Sequence, residues 1–199
     1  LFKSAAVIAV SAATKNELSA QYKLSSKINN KIHVIYEGWE HLRLEKADKE
    51  ILPLVKSFGN YLFYVGGSRV HKNLSGLISG FIVARDKLPV NIKLIISGDI
   101  QYIKPEDKKL ANEVNKDGEK IVFTGFVSNG ALQTIFKNAD AFVFPTFHEG
   151  FGIPVLESFY FKKPLLCSNT TSLPEIAGDA ALYFDPANPA DIAKTIIFF

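Results

Sequence analysis

The 199 residues carry a net charge of only +3, and 47% of them are apolar against 22% charged. That balance suits a packed globular chain and excludes a disordered one. It also excludes a polybasic arm for nucleic acid, and no apolar run approaches the roughly 18 residues that a membrane span needs. The single cysteine, Cys167, rules out an internal disulfide and fits a reducing cytosolic setting. It lies in the apolar run Pro164–Cys167 with no His or basic neighbour in sequence, the setting of a buried structural thiol rather than a nucleophile.

In chain order, Ala5–Val10 reads as a short strand, and Ser11 or Thr14 offers an N-cap for a helix through Leu18. Lys31–Tyr36 reads as a second strand. From His41 to Lys56 charge rises and apolar order is lost, which marks a linker or an exposed connecting helix. A domain boundary is expected there, dividing the chain into 1–45 and 46–199. The start of the chain, polar too soon for a signal peptide, reads as a beginning in mid-domain.

From Asn60 the pattern becomes regular. Strands are expected at Tyr61–Val65, Ile92–Ser97, Lys120–Thr124, Asp140–Pro145, Pro164–Cys167 and Ala181–Phe184. Between them, helices are expected over Lys72–Arg85, Pro105–Asn115 (charged and exposed), the stretch capped by Ser128, Ile153–Phe161 and Leu173–Ala177, with a further helix from Asp191. Leu74, Leu77, Ile78, Phe81 and Ile82 share one face of the first of these, and Leu132, Ile135, Phe136 and Ala139 one face of the third. Near-continuous apolar strands alternating with helices predict an α/β fold, a doubly wound and mostly parallel Rossmann-like sheet with helices on both faces.

Ligands of such sheets bind at the carboxyl ends of the strands. Gly66 to Asn73 joins a strand to a helix start, where free amides and the helix dipole favour phosphate, and Arg69 and Lys72 add charge. Taken alone, this loop fits a phosphate cradle and a plain turn with solvated cations equally well. It contains neither GxGxxG nor a Walker A pattern, so a dinucleotide-dependent oxidoreductase is disfavoured. The stretch Pro145 to Glu157, PTFHEGFGIPVLE, says more. Gly150 and Gly152 bracket Phe151 ahead of a helix, so amides up to Ile153 can approach a ligand closely. Glu149 in the loop and Glu157 in the helix can face one cleft from different heights. Ionised carboxylates only accept hydrogen bonds, so hydroxyl pairs such as a ribose diol and a sugar ring are their natural partners. Hydrolysis by a carboxylate pair suits this placement less well. His71 and His148 fit loop hydrogen bonding better than chemistry, and no Asp-x-Asp or His/Cys cluster suggests a metal.

PTFHEGFGIPVLE resembles the E-x7-E signature of retaining glycosyltransferases with the GT-B fold, the "group 1" family (family 4). YVGGSRVHKNL is similar to that family's phosphate loop, IVFTGFVSNGAL to its base-side turn, and PLLCSNTTSLPEIAGDAALYFDP to its closing stretch, while VIAVSAATKNEL and KIHVIYEGWE resemble the tail of its N-terminal domain and the crossing segment. The resemblance implies that Glu149 holds donor-sugar hydroxyls, Glu157 the ribose diol, and Arg69 and Lys72 the diphosphate. Gly66, Gly67, Gly150, Phe151, Gly152 and Ile153 would line the donor, and Phe126 and Val127 would meet the base. It implies a GDP- or UDP-linked sugar as donor, no cofactor, no metal, and a saccharide or lipid-linked saccharide as acceptor. It also implies a further N-terminal domain that holds the acceptor, little turnover by this piece alone, and no nucleic-acid partner. A cytoplasmic location follows, with peripheral contact at the inner membrane face left open. The wording of the motifs leans toward mannosyl- or rhamnosyltransferases of surface polysaccharide synthesis. One departure stands out: many members carry Arg where this chain has Gly67, which leaves Arg69 to reach the phosphate from two positions later. A non-catalytic module on the same fold is the competing reading.

Overall fold

A computed structural model describes residues 4–39, 46–67, 69–89, 91–99 and 103–199. The beginning of the charged stretch from His41, Ser68 in the loop Gly66 to Asn73, and Ile100 beyond the carboxyl end of the strand Ile92–Ser97 lie outside the described residues.

The chain opens with β1 (Val7–Ala9), α1 (Ala12–Gln21), the single turn α2 (Ser26–Asn29) and β2 (Ile32–Val34). β1 and β2 pair in parallel, with Val7 opposite Ile32. Ser11 caps α1 as expected: its backbone is extended and its hydroxyl accepts from the Thr14 amide. α1 runs to Gln21 instead of stopping at Leu18, because no breaker intervenes before Tyr22. Both strands are shorter than the apolar runs that announced them.

The stretch read as a linker or an exposed helix contains α3 (Leu52–Ser57), with Pro53 in its first turn, where a missing N–H loses no bond. α3 is not simply exposed, since Val55 is buried with Phe58 and Tyr61 in the main core.

The main sheet follows: β3 (Tyr61–Val65), α4 (Leu74–Ala84), β4 (Lys93–Ser97), α5 (Pro105–Val114), β5 (Ile121–Gly125), α6 (Asn129–Asn138), β6 (Ala141–Phe144), α7 (Ile153–Tyr160), β7 (Leu165–Ser168), α8 (Leu173–Ala177), β8 (Ala181–Phe184) and α9 (Pro189–Phe198). The strands run in the order β5-β4-β3-β6-β7-β8, every pairing parallel. Alternation along each strand splits the core into two layers. Leu62, Tyr64, Ala141 and Val143 face α4, α5 and α9, whereas Tyr61, Phe63, Phe142 and Phe144 face α3, α6, α7 and α8. The second layer is aromatic: the Phe63 and Phe136 rings meet edge-on at 5.2 Å and Phe136 lies 4.7 Å from Phe142. Each such pair adds about 0.5–1.5 kcal/mol beyond its burial.

Two further expectations are corrected. The helix expected from Lys72 starts at Leu74, because Asn73 adopts φ +53°, which a right-handed helix cannot pass through. Val70–Lys72 is instead a single 3-10 turn. α5 is not fully exposed: Asp107, Ala111 and Val114 are buried on one side.

Candidate functional site

The strand order reverses between β3 and β6, and the crevice above a reversal is where open parallel sheets take ligands. The loops flanking it are residues 66–73 after β3 and 145–152 after β6. They are sewn together. The Phe147 amide donates to the His71 carbonyl at 2.8 Å. Asn73, buried and left-handed, donates from Nδ2 to the carbonyls of Pro145 (2.9 Å) and Pro186 (2.7 Å), while its Oδ1 accepts from the Gly76 amide and caps α4.

Across this seam Lys72 Nζ stands 2.8 Å from Glu149 Oε1. Their side chains are only 23% and 14% exposed, and the ammonium also lies 5.5 Å from the centre of the Phe144 ring. Tyr64 lies fully buried under the loop and donates to the Gly67 carbonyl. Burial, reinforced by the negative charge of Glu149, pushes its phenol well above the ordinary range. The Glu149 amide donates to Thr171 Oγ1 at 3.1 Å, and the buried Ser172 hydroxyl lies 3.0 Å from the Glu149 carbonyl and 2.9 Å from that of Phe151. The glutamate is therefore held by its backbone as well as by Lys72.

Gly152 ends the loop at φ +99°, and a Cβ there would lie 2.6 Å from Leu173 Cδ2. α7 follows without a side-chain cap, with Pro154 in its first turn. Ile153 and Glu157 on α7 are half-buried, while Phe151 is buried with its ring 5.8 Å from that of Tyr36.

Toward β4 and β5, the carboxyl ends of three neighbouring strands carry Gly66, Gly98 and Gly125, a glycine shelf. Gly98, after β4, has φ +129°, and a Cβ there would fall 2.1 Å from the Gly66 carbonyl oxygen. Its amide donates to the Gly125 carbonyl, and the Gly66 amide donates to that of Ser97. The shelf leads to Phe126, which stands 87% exposed, while Val127 packs partly into the core. Gly67 is open: a Cβ at this position would have no atom within 4 Å among the described residues. Arg69 does not join Lys72. It is exposed and borders a neighbouring cavity of about 210 Å³ with Ser75, Lys104, Asp107 and Phe147.

The structure thus brings Lys72 and Glu149 together, sets Gly66, Gly67, Gly150 and Gly152 around them, and leaves Arg69 one cavity away. Sequence reasoning missed Asn73, Thr171 and Ser172, and it missed the contacts from the first sheet. Ser11 Oγ and Thr14 Oγ1 both donate to the Gly150 carbonyl, at 2.6 and 2.8 Å. Glu175 accepts from the amides of Ala12 (2.7 Å) and Ala13 (3.0 Å) and from the Tyr36 hydroxyl (2.9 Å). Burial alone would raise the Glu175 carboxyl, but those three donors hold it below the ordinary carboxylate range. His148 Nε2 lies 2.8 Å from Glu17 Oε2, an exposed partnership. The acidic residue after Pro174 was the one available signal, and it said only that a helix begins. Among the described residues, no group of three or more His, Cys, Asp or Glu is placed to hold a metal ion.

With this geometry in view, the model of the family Glycosyl transferases group 1 matches residues 48–199. The chain belongs to the group 1 glycosyltransferases. Among the relatives of this group 1 member, O-antigen chain mannosyltransferase B of Escherichia coli is 32% identical over 160 residues, covering 77% of this chain and 41% of that protein. O-antigen chain mannosyltransferase RfbU of Salmonella typhimurium is 29% identical over 181 residues, covering 90% and 46%. The chain therefore spans less than half the length of these relatives. Among solved structures, a glycosyltransferase from Rickettsia africae matches with a TM-score of 0.79 at 19% identity, covering 97% of this chain and 52% of that one. Anabaena Alr3699/HepE, solved with UDP-glucose, matches at 0.77 and 18% identity, covering 98% and 53%. These likenesses establish the Rossmann-like fold of the group 1 chain. No helix among its described residues is long and apolar enough to cross a membrane.

Proposed function

We propose that this chain carries the donor-binding half of a glycosyltransferase of surface polysaccharide synthesis, moving a sugar, mannose foremost, from a nucleoside diphosphate to a saccharide or lipid-linked saccharide. The observation that carries the reading is the Lys72–Glu149 pair at the reversal of strand order. A cation to receive diphosphate and a carboxylate to receive hydroxyls stand side by side where a nucleotide-sugar changes from one to the other. Beyond them Gly66, Gly98 and Gly125 line the way toward the exposed Phe126, and a ribose and base can lie along it.

In the reaction the bond from the anomeric carbon to diphosphate oxygen breaks and a bond to an acceptor hydroxyl forms. The hydroxyl proton passes to an oxygen of the departing diphosphate, which keeps the remaining negative charge. Lys72 and the amides at the start of α4 meet that charge, which is the electrostatic part of the catalysis. Arg69 assists from the neighbouring cavity. Glu149 holds sugar hydroxyls and Glu157 the ribose diol, without a metal, and with retention at the anomeric carbon. Residues 1–45 belong to the acceptor-side domain and 46–199 to the donor domain, with the work done at the cytoplasmic face of a membrane. The names of the relatives support mannose and thus a GDP-linked donor, whereas the HepE complex keeps UDP-glucose in the comparison.

Calorimetric titration of the chain with GDP, UDP, GDP-mannose and UDP-glucose tests this. GDP and GDP-mannose are expected to bind at least about tenfold more tightly than their uridine counterparts, a gap of one good base-specific hydrogen bond. Failure of all four to bind sinks the reading, and preference for UDP-glucose reassigns the donor.

A further inference from the structure

Among the described residues, the segment of the first sheet meets the main domain through the ring pairs Tyr36–Phe151 and Trp39–Tyr160 and through polar bonds to Glu175, Gly150 and His148, the last two in the loop that carries Glu149. Glu175, the third residue of α8, reaches across to the opening of α1 and takes the amides of Ala12 and Ala13. Free amides at a helix start attract a carboxylate through both hydrogen bonding and the helix dipole. Tyr36, leaving β2, adds its hydroxyl to the same carboxylate and lays its ring toward Phe151. With α1 held this way, Ser11 and Thr14 at its first turn direct both hydroxyls at one acceptor, the carbonyl of Gly150. Both lone pairs of that carbonyl are then engaged, one residue beyond Glu149. From the opposite side, Ser172 holds the carbonyls of Glu149 and Phe151. Ser172 stands at the N-cap position of α8 and Glu175 lies within it, so one short segment grips the loop directly and, through α1, a second time.

We propose that Glu175 is a positioning residue for the donor loop: by clasping the start of α1 it seats Ser11 and Thr14 on the Gly150 carbonyl and so fixes where Glu149 stands. The inference rests on the donor-site reading given above for what Glu149 grips. The clasp itself is a structural statement that stands apart from it. Loss of the clasp leaves the phosphate side in place, because the loop of Lys72 is seated by Asn73, whose side-chain bonds run to residues 76, 145 and 186. What loosens is the sugar side. The expected signature is therefore a split between sugar-nucleotides and bare nucleotides.

The experiment compares wild type, Glu175→Ala, Glu175→Gln and the pair Ser11→Ala with Thr14→Val in the full chain. It reads the affinities of GDP-mannose, UDP-glucose, GDP and UDP by calorimetry, and amide exchange along the backbone. Glu175→Ala is expected to speed exchange at residues 12 and 13 and also at 150–152. It should weaken the preferred sugar-nucleotide about tenfold, the size of one lost charge-assisted hydrogen bond, while its bare nucleotide stays within about twofold. Glu175→Gln, which keeps one acceptor but sets an NH2 donor against one of the two amides, restores only part of the loss. The Ser11/Thr14 pair, which leaves Glu175 on α1, gives the same split and serves if Glu175→Ala does not fold. Faster exchange confined to residues 12 and 13 with unchanged sugar-nucleotide affinity overturns the proposal, and so does a parallel fall for bare nucleotides. If wild type binds none of the four ligands, the donor reading has failed, and exchange at 150–152 alone decides the clasp.

Discussion

Replacing Glu149 by Gln separates two roles that the Lys72–Glu149 pair combines. The carboxylate neutralises Lys72 at 2.8 Å, with 23% and 14% of the two side chains exposed. Fully exposed pairs contribute about 0–1 kcal/mol, and breaking a fully buried one costs about 3–5 kcal/mol. This pair lies between, and glutamine still accepts from Lys72, so a loss of about 1 kcal/mol is expected, or roughly 2–4 °C in Tm for a chain of this size. On the donor-site reading proposed above, the same interaction opposes an incoming diphosphate, which has to draw Lys72 away from its carboxylate. Removing the charge should therefore tighten GDP by about fivefold, the equivalent of that 1 kcal/mol. For GDP-mannose the sign reverses. Hydrogen bonds from sugar hydroxyls to an ionised acceptor contribute about 1.5–3 kcal/mol, more than the relief at Lys72, so the net affinity falls severalfold. Differential scanning calorimetry and titration of both ligands against both proteins read all three quantities. A fall in GDP affinity parallel to that of GDP-mannose would refute the reasoning, since Glu149 would then be supporting Lys72 and not competing for it.

Other outcomes follow from the same geometry. Gly67→Arg should fold with its stability within about 0.5 kcal/mol of wild type, since none of the described residues crowds the space beside it, and should tighten GDP binding in a salt-dependent way; unchanged affinity at low salt counts against a phosphate site there. Asn73→Ala removes two donors to buried carbonyls and the cap of α4, and a loss of about 3 kcal/mol is expected in urea denaturation. Burial pushes the Cys167 thiol from its ordinary 9.0 up to about 12, and it also raises the Tyr61 phenol above 10.0, with the charge of Asp140 adding to it. Because the folded values are raised, this stability is complete below pH 9 and is lost as pH rises toward 12, so urea midpoints should fall steadily over that window. Iodoacetamide at pH 8 should label Cys167 only as fast as the chain unfolds.

The main sheet was legible because each of its strands is an apolar run set between helix starts with identifiable caps or prolines. Leu173–Ala177 and Ala181–Phe184 fall where the residue pattern places them. Ser26–Asn29 was not legible, since four residues cannot show a helical period. The loop carrying Glu149 announced itself through glycine placement, which is local information. Its closeness to Lys72 depends on β3 and β6 being neighbours, and residue patterns along one chain do not encode which strands adjoin. Asn73 was hidden for a related reason: a left-handed asparagine is known by its φ and its partners, and those partners are 72 and 113 residues away. Glu175 looked like an ordinary first-turn acid, and only the docking of α1 shows what it holds.

The contact between Gly98 and the Gly66 carbonyl bears on how such a site could be re-engineered. In a deep mutational scan read out by surface display, position 98 should return glycine alone, because a methyl group there would overlap main-chain oxygen that no rotamer change can move. Position 67, the residue after that carbonyl, should accept nearly the full alphabet, and the exposed ring at Phe126 should accept a wide one. If the donor lies here as proposed above, libraries aimed at a new donor are best spent on 67 and 126, with the floor between them left as found.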